Sequence, residues 1–173
     1  MQSDLFSGLE AASSIPGLSY QKDFLSPEEE ALLLDVVESL PLHAAKYKDY
    51  VARRQVVSFG GSYDFATNTL VPGRELDERL LPLRDRVAAW LGVGRDELVH
   101  ALVAQYAPGT PLGWHRDVLD FEVIAGVSLG NSALLRFRPY PPDEVAKRKV
   151  LELEVAPRSI YRMQGEARWG WQH

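Results

Sequence analysis

The sequence predicts an α+β fold, with helices in the first half of the chain and short strands in the second. Three observations predict it. Residues 26–40 and 76–91 carry apolar side chains at helical spacing. From Val99 onward the apolar pattern shortens into brief extended runs. Those runs are separated by Gly and Pro turns, the punctuation of a β-sandwich or barrel. The length of 173 residues suits one domain able to bury a core unaided.

In chain order, residues 1–14 are small and polar and read as a flexible tail, leaving 15–173 as a single domain. Residues 15–26 read as an extended lead-in. Ser26-Pro27-Glu28-Glu29-Glu30 is a strong helix start: Ser26 caps, Pro27 suits the first helical position and Glu29 completes a capping box. Leu32, Leu33, Val36, Val37 and Leu40 continue the helix and Pro41 ends it. Arg54 to Phe59 reads as a strand, followed by a Gly60-Gly61 turn and a polar loop holding Tyr63 and Phe65. A second helix is expected from Leu76 to Leu91, kinked or restarted at Pro82 and stopped by Gly92. The segments 99–107, 113–117, 123–130, 133–140, 150–155, 159–165 and 167–173 follow as extended runs. Among them 151–155 alternates cleanly, with Leu151, Leu153 and Val155 on one face and Glu152 and Glu154 on the other.

Composition removes several function classes. Apolar residues make 46% of the chain and charged residues 25%, which excludes wholesale disorder and fibrous repeats. There is no cysteine, so disulfides, thiolate zinc sites, iron–sulfur clusters and thiol nucleophiles are excluded and any metal must be held by His, Asp or Glu. No run is apolar enough to span a membrane and the start lacks a signal peptide's pattern, so a soluble, cytoplasmic monomer is expected. The net charge of −5 is uneven: residues 1–50 carry −6 and residues 133–173 carry +3. The acidic total argues against non-specific nucleic-acid binding, while the basic last quarter leaves room for a local anionic partner or a solvated rim.

The sharpest chemical feature is His115-Arg116-Asp117. In an extended segment, residues i and i+2 share a face, so His115 and Asp117 can converge on one ion with Arg116 turned away. His173 supplies a distant second histidine at the end of another apparent strand. Two histidines and one carboxylate form the ligand set of the facial triad, which holds Fe(II) and leaves positions open for oxygen and a co-substrate. Alone, His-x-Asp also fits a surface histidine beside an aspartate. His43 and His100 lack carboxylates at ligand spacing and read as structural.

The blocks YAPGTPLGWHRD, IAGVSLGNSALLRFRP and PRSIYRMQGEARWGWQH, in this order between about residues 53 and 173, resemble the AlkB family of Fe(II)/2-oxoglutarate-dependent dioxygenases. The resemblance implies a double-stranded β-helix, or jelly roll, with the N-terminal helices packed on it. It implies Fe(II) held by His115, Asp117 and His173 as the catalytic centre, 2-oxoglutarate as co-substrate hydrogen-bonded by Tyr106, and O2 as oxidant. The implied reaction is oxidative demethylation of N-alkylated bases in DNA or RNA, as in DNA repair. The family carries two arginines beyond the distal histidine, so the chain is expected to lack its C-terminal end.

Four residues are candidates for substrate contact. Tyr63 and Phe65 either stack on a flipped base or staple their loop to the body. Arg136 and Arg138 share one strand face and either touch phosphate or meet solvent. Trp114 points away from His115 if the segment is extended, and reads as packing. Trp169 and Trp171 share parity with His173 and are expected on the same interior wall. Where AlkB-family members have an acidic residue soon after the metal aspartate, Val118-Leu119 stand here. With the net charge, this favours the alternative that the iron chemistry acts on a protein side chain or small molecule. A non-enzymatic binding module is the remaining alternative.

Overall fold

The computed structural model describes residues 12, 14–47, 50–64, 67, 69–144 and 149–173, with the backbone alone at 46–47, 50–52, 62–64 and 70. Phe65, the side chain of Tyr63 and, apart from residues 12 and 14, the expected tail therefore lie outside what is described. The chain gathers into two compact units, one of residues 1–32 with 113–173 and one of residues 33–112.

The first unit is built on two three-stranded antiparallel sheets. One has β1 (Leu18–Gln21) beside β10 (Ile160–Met163) beside β7 (Ile124–Val127). The other has β11 (Trp171–Gln172) beside β8 (Ala133–Pro139) beside β9 (Leu151–Val155). Both sheets feed one core of Ile15, Leu18, Phe137, Leu153, Val155, Met163, Ala167 and Trp171, so they pack face to face. The alternation in β9 resolves as expected: Leu153 and Val155 are buried while Glu152 and Glu154 are exposed. β7 passes under an aromatic ring. Gly126 pairs with Tyr161, and a Cβ on Gly126 would sit 2.3 Å from that ring, so a larger residue there would have to displace the end of the Tyr161 side chain.

Two expected extended runs take another form. The segment 113–117 belongs to no sheet ladder, although one residue pair in it serves the site described below. The run 167–173 is a strand only at β11. Gly165–Trp169 forms a short helix, α3, fixed to the lead-in by the N–H groups of Gln164 and Ala167, which donate to the carbonyls of Gly17 and Pro16 at 3.1 and 2.9 Å. Trp169 is consequently 38% exposed and does not line the interior, whereas Trp171 is buried. The alternating tryptophans fit a strand by pattern, but tertiary hydrogen bonds and the good helix formers Glu166, Ala167 and Arg168 decide for a helical turn.

Helix α1 (Pro27–Ser39) starts as the sequence predicts. The Ser26 backbone N–H donates to the Glu29 carboxylate at 2.7 Å and the Glu29 N–H donates to Ser26 Oγ at 3.1 Å. The Glu30 carboxylate accepts the Gly130 N–H at 2.8 Å and meets Arg158 at 3.5 Å.

The second unit holds the antiparallel sheet of β2 (His43–Tyr47), β3 (Tyr50–Phe59) and β6 (Ala101–Tyr106) in the order β2-β3-β6. Its β3–β6 register runs from Arg54 opposite Tyr106 to Phe59 opposite Ala101. Val57 and Phe59 of β3 are buried, as are Leu33, Leu40, Leu80, Val87 and Ala88. After Gly60 the chain forms a hairpin, β4 (Ser62–Asp64) with β5 (Thr69–Val71), so Tyr63 sits in a strand rather than in the expected loop. A 3₁₀ turn at Glu78–Leu80 precedes helix α2 (Leu81–Leu91), so Pro82 marks a restart. Gly92 closes α2 at φ 72°, in the left-handed region that glycine adopts without cost. Antiparallel strands run through both halves, β1 to β5 among the helices of the first and α3 among the strands of the second, so the fold is α+β without the expected split into a helical first half and a stranded second. No described helix is long and apolar enough to cross a membrane.

Candidate metal centre

The site begins with a single backbone pair. The His115 N–H donates to the His173 carbonyl at 3.0 Å and the His173 N–H donates back to the His115 carbonyl at 2.9 Å. Two residues that exchange both bonds lie directly opposite each other, with side chains on the same side. The imidazole rings accordingly meet, with centroids 4.3 Å apart. Asp117, two residues on from His115, returns to that side. Its Oδ1 lies 3.8 Å from His115 Nε2 and its Oδ2 lies 3.5 Å from His173 Nε2. One ligand atom from each of the three residues falls within 4.8 Å of the other two.

The protonation states suit a cation. His115 Nδ1 is 2.8 Å from the carbonyl of Gly113. A carbonyl only accepts, so Nδ1 carries the proton and Nε2 presents its lone pair to the cluster. Burial pushes His173 down to about 4; the Asp117 carboxylate opposes that shift, and His115 and Arg168 add to it. His173 is thus a neutral imidazole at neutral pH, the form that binds metal. Two imidazole nitrogens and a carboxylate oxygen on one side of an irregular segment are the donor set of the Fe(II) facial triad. The residues present fit that ion. Phe137, its ring 6.2 Å from that of His173, supplies an apolar floor.

Sequence reasoning missed Arg168. Its side chain is buried, at 2% exposure, and extends from α3 to the segment after Asp117. Nε donates to the Phe121 carbonyl at 2.9 Å, and Nη2 donates to the carbonyls of Asp117, at 3.2 Å, and Val118. Burial lowers its pKa, and the Asp117 charge partly restores it. An arginine directly before Trp169, five residues before His173, was the only signal available.

The other expected residues fall elsewhere. Arg138 pairs across the strands with Gln172, so both face away from His173 and Phe137. On that outer face Arg136 and Arg138 lie over the Trp114 ring, at 5.3 and 4.6 Å from its centroid. Arg138 Nε also donates to Gln172 at 2.9 Å, and Arg136 lies 3.6 Å from Glu152. Arg116 stacks on Tyr140 and donates to the Trp169 carbonyl at 3.1 Å, turned away from the cluster as expected. Tyr106 belongs to the second unit, where its hydroxyl accepts from Arg54 Nη1 at 3.1 Å.

Comparison with known proteins supplies an independent line. The model of the 2OG-Fe(II) oxygenase superfamily matches residues 17–173. An uncharacterized protein, L905, of Acanthamoeba polyphaga mimivirus is 24% identical over 95% of this chain and 75% of its own length. The "Alkylated DNA repair protein ALKBH8 homolog" of Arabidopsis thaliana is 27% identical over 95% of this chain and 52% of its own. The "tRNA (carboxymethyluridine(34)-5-O)-methyltransferase ALKBH8" of Macaca fascicularis is 27% identical over 91% of this chain and 24% of its own. The chain thus spans about half and about a quarter of those last two relatives. The solved structure of OsALKBH1 superposes with a TM-score of 0.66 at 16% identity, covering 91% of this chain and 83% of that one.

Proposed function

Because this chain belongs to the 2OG-Fe(II) oxygenase superfamily, an enzyme family that uses Fe(II), 2-oxoglutarate and O2, we propose that His115, Asp117 and His173 hold the iron and that the reaction is oxidative removal of an N-alkyl group from a nucleic-acid base. The single observation that carries this reading is the His115–His173 backbone pair with Asp117 closed over it. In the same reading the two sheets of the first unit are those of a double-stranded β-helix, and residues 15–173 act as one catalytic domain.

When bound, Fe(II) with 2-oxoglutarate and O2 supplies the oxidation of a substrate C–H bond, the co-substrate leaving as succinate and CO2. On an N-methylated base the products would be formaldehyde and the base with its N–H restored. The residues of the chain supply aim and dryness. Gly113 orients His115, burial keeps His173 neutral, and Asp117 contributes the anionic ligand. In the second unit, the Tyr106 hydroxyl accepts from Arg54, which leaves its own proton to donate.

Nucleic acid is favoured as substrate by the names of the relatives above, which concern DNA repair and tRNA. A second reading, a protein side chain or small molecule as substrate, is favoured by the apolar Val118-Leu119 after the ligand, Leu119 being 66% exposed. The test is turnover of N-methylated single-stranded DNA and RNA oligonucleotides, with formaldehyde and succinate measured together. Formaldehyde in step with succinate supports base demethylation. Succinate without formaldehyde on every oligonucleotide moves the substrate to the second reading. No succinate at all, with added iron, sinks the enzyme reading of this site.

A further inference from the structure

The backbone between Arg116 and Val123 lies in no strand and carries a turn at residues 119 and 120. Leu119 and Asp120 at its tip are exposed. Yet this segment carries Asp117, whose carboxylate must stand within a few tenths of an ångström of a fixed place if three ligands are to share one ion. What holds the segment from inside is Arg168. Its fork spans the carbonyls of Asp117, Val118 and Phe121, tying the start of the segment to its middle.

The other end of the tie is equally specific. Arg168 stands on α3, which is anchored through Ala167 to Pro16 and leads through Trp171, buried in the core, to His173. One side chain therefore connects the element that places His173 to the segment that places Asp117. Among the described residues, Arg168 forms no ion pair, so its role is not that of half a salt bridge. Its Nε and Nη2 donors go to carbonyls, in the fixed geometry of a planar fork that an ammonium on a flexible stem lacks.

We propose that Arg168 is the positioning residue of the metal centre: clamped on the carbonyls of Asp117, Val118 and Phe121, it sets the Asp117 carboxylate against the imidazoles of His115 and His173. This rests on the reading of those three residues as metal ligands. It assigns to Arg168 the fixing of a ligand's place, with no contact to metal or substrate.

The experiment is titration with Co(II) alone, followed by calorimetry and by the visible absorption of the bound ion. It uses the whole chain in wild-type form and as His115→Ala, Arg168→Lys, Arg158→Lys and Leu119→Gly/Asp120→Gly. Wild type binds Co(II) and His115→Ala does not; if wild type fails to bind, the ligand reading falls and this inference with it. Arg168→Lys keeps the charge and loses the fork, and its affinity falls at least about tenfold with an altered absorption band, the scale of lost support around a metal ligand. Arg158→Lys alters an arginine of the same unit that meets Glu30 and Asp23, away from the ligands, and leaves Co(II) affinity unchanged. If Arg168→Lys binds as tightly as wild type, or loses no more than Arg158→Lys, Arg168 is a fold clamp and the proposal is overturned. Should Arg168→Lys not fold, the double glycine variant decides. It removes the segment's own stiffness at two exposed positions and spares all three acceptors. Affinity within about twofold of wild type supports the clamp, and a tenfold loss overturns it, because chain stiffness would then be what places Asp117.

Discussion

The two faces of one short ladder behave as different solvents. On the inner face of the β11–β8 edge stand His173 and Phe137, with His115 added by its backbone pair. On the outer face, one residue out of phase, stand Trp114, Arg136, Arg138 and Gln172. Inside, burial suppresses a positive charge, and His173 stays neutral down to about pH 4. Outside, guanidinium groups lie over an indole. The same strands thus separate a centre that needs lone pairs from a surface that carries cations, through the period of two alone. Either face can be broken without the other, and the size of the loss should differ.

The largest effect belongs to the ligands. Asp117→Ala or His173→Ala should abolish metal-dependent 2-oxoglutarate turnover, by more than about a hundredfold, since losing a ligand exceeds the 10–100-fold loss seen for outer-shell partners. Succinate release by purified, iron-supplemented variants checks it, with circular dichroism as the control for folding. Turnover retained by both variants would remove the inner face from the chemistry.

Next is packing beneath the ligands. Phe137 is fully buried, so Phe137→Ala should cost about 3–5 kcal/mol by denaturant unfolding, from lost transfer energy and the cavity left behind. A cost under about 1 kcal/mol would mean that the inner face is not part of the core.

The pH dependence of the metal-free protein comes third. The His173 pKa is lowered from 6.5 to about 4 on folding. Between those values the unfolded chain binds the extra proton, so stability contributed by this group is present above pH 6.5 and is lost as pH falls toward 4. The loss should approach about 3 kcal/mol, at 1.36 kcal/mol per pKa unit, and His173→Gln should flatten that part of the profile. An equally steep profile in His173→Gln would assign the acid sensitivity to other groups.

The outer face gives the smallest changes. Arg136 is half exposed beside an exposed Glu152, and Arg136→Gln should cost below about 1 kcal/mol. In binding to single-stranded oligonucleotides, each phosphate contact contributes about 0.7 to the slope of log affinity against log salt. Because Arg136 and Arg138 face away from the ligands and lie over Trp114, the double substitution to Gln should leave that slope unchanged. A slope flattened by about 0.7 per arginine would place nucleic acid on the outer face.

Much of this was legible in the residues themselves. The capping box at Ser26 and Glu29, the restart at Pro82, the stop at Gly92 and the alternation of 151–155 are local, each settled by side chains within about four positions. The proposed ligand set was legible as a pattern, because His115 and Asp117 are two apart and their residue types limit the chemistry they can do, and the structure brings them within 4.8 Å of His173. What only the tertiary structure decided involves distance along the chain. The His115–His173 backbone pair joins residues 58 positions apart through atoms that every residue has, so no side chain announces it. Trp169 and Trp171 alternate as a strand would, yet the carbonyls of Pro16 and Gly17 pull 165–169 into a helix and turn Trp169 outward. Arg168 resembles any other arginine in the basic last quarter of the chain. Only burial, and the three carbonyls it finds there, make it the clamp beside Asp117, because a guanidinium taken out of water must spend its donors on whatever the fold brings within reach.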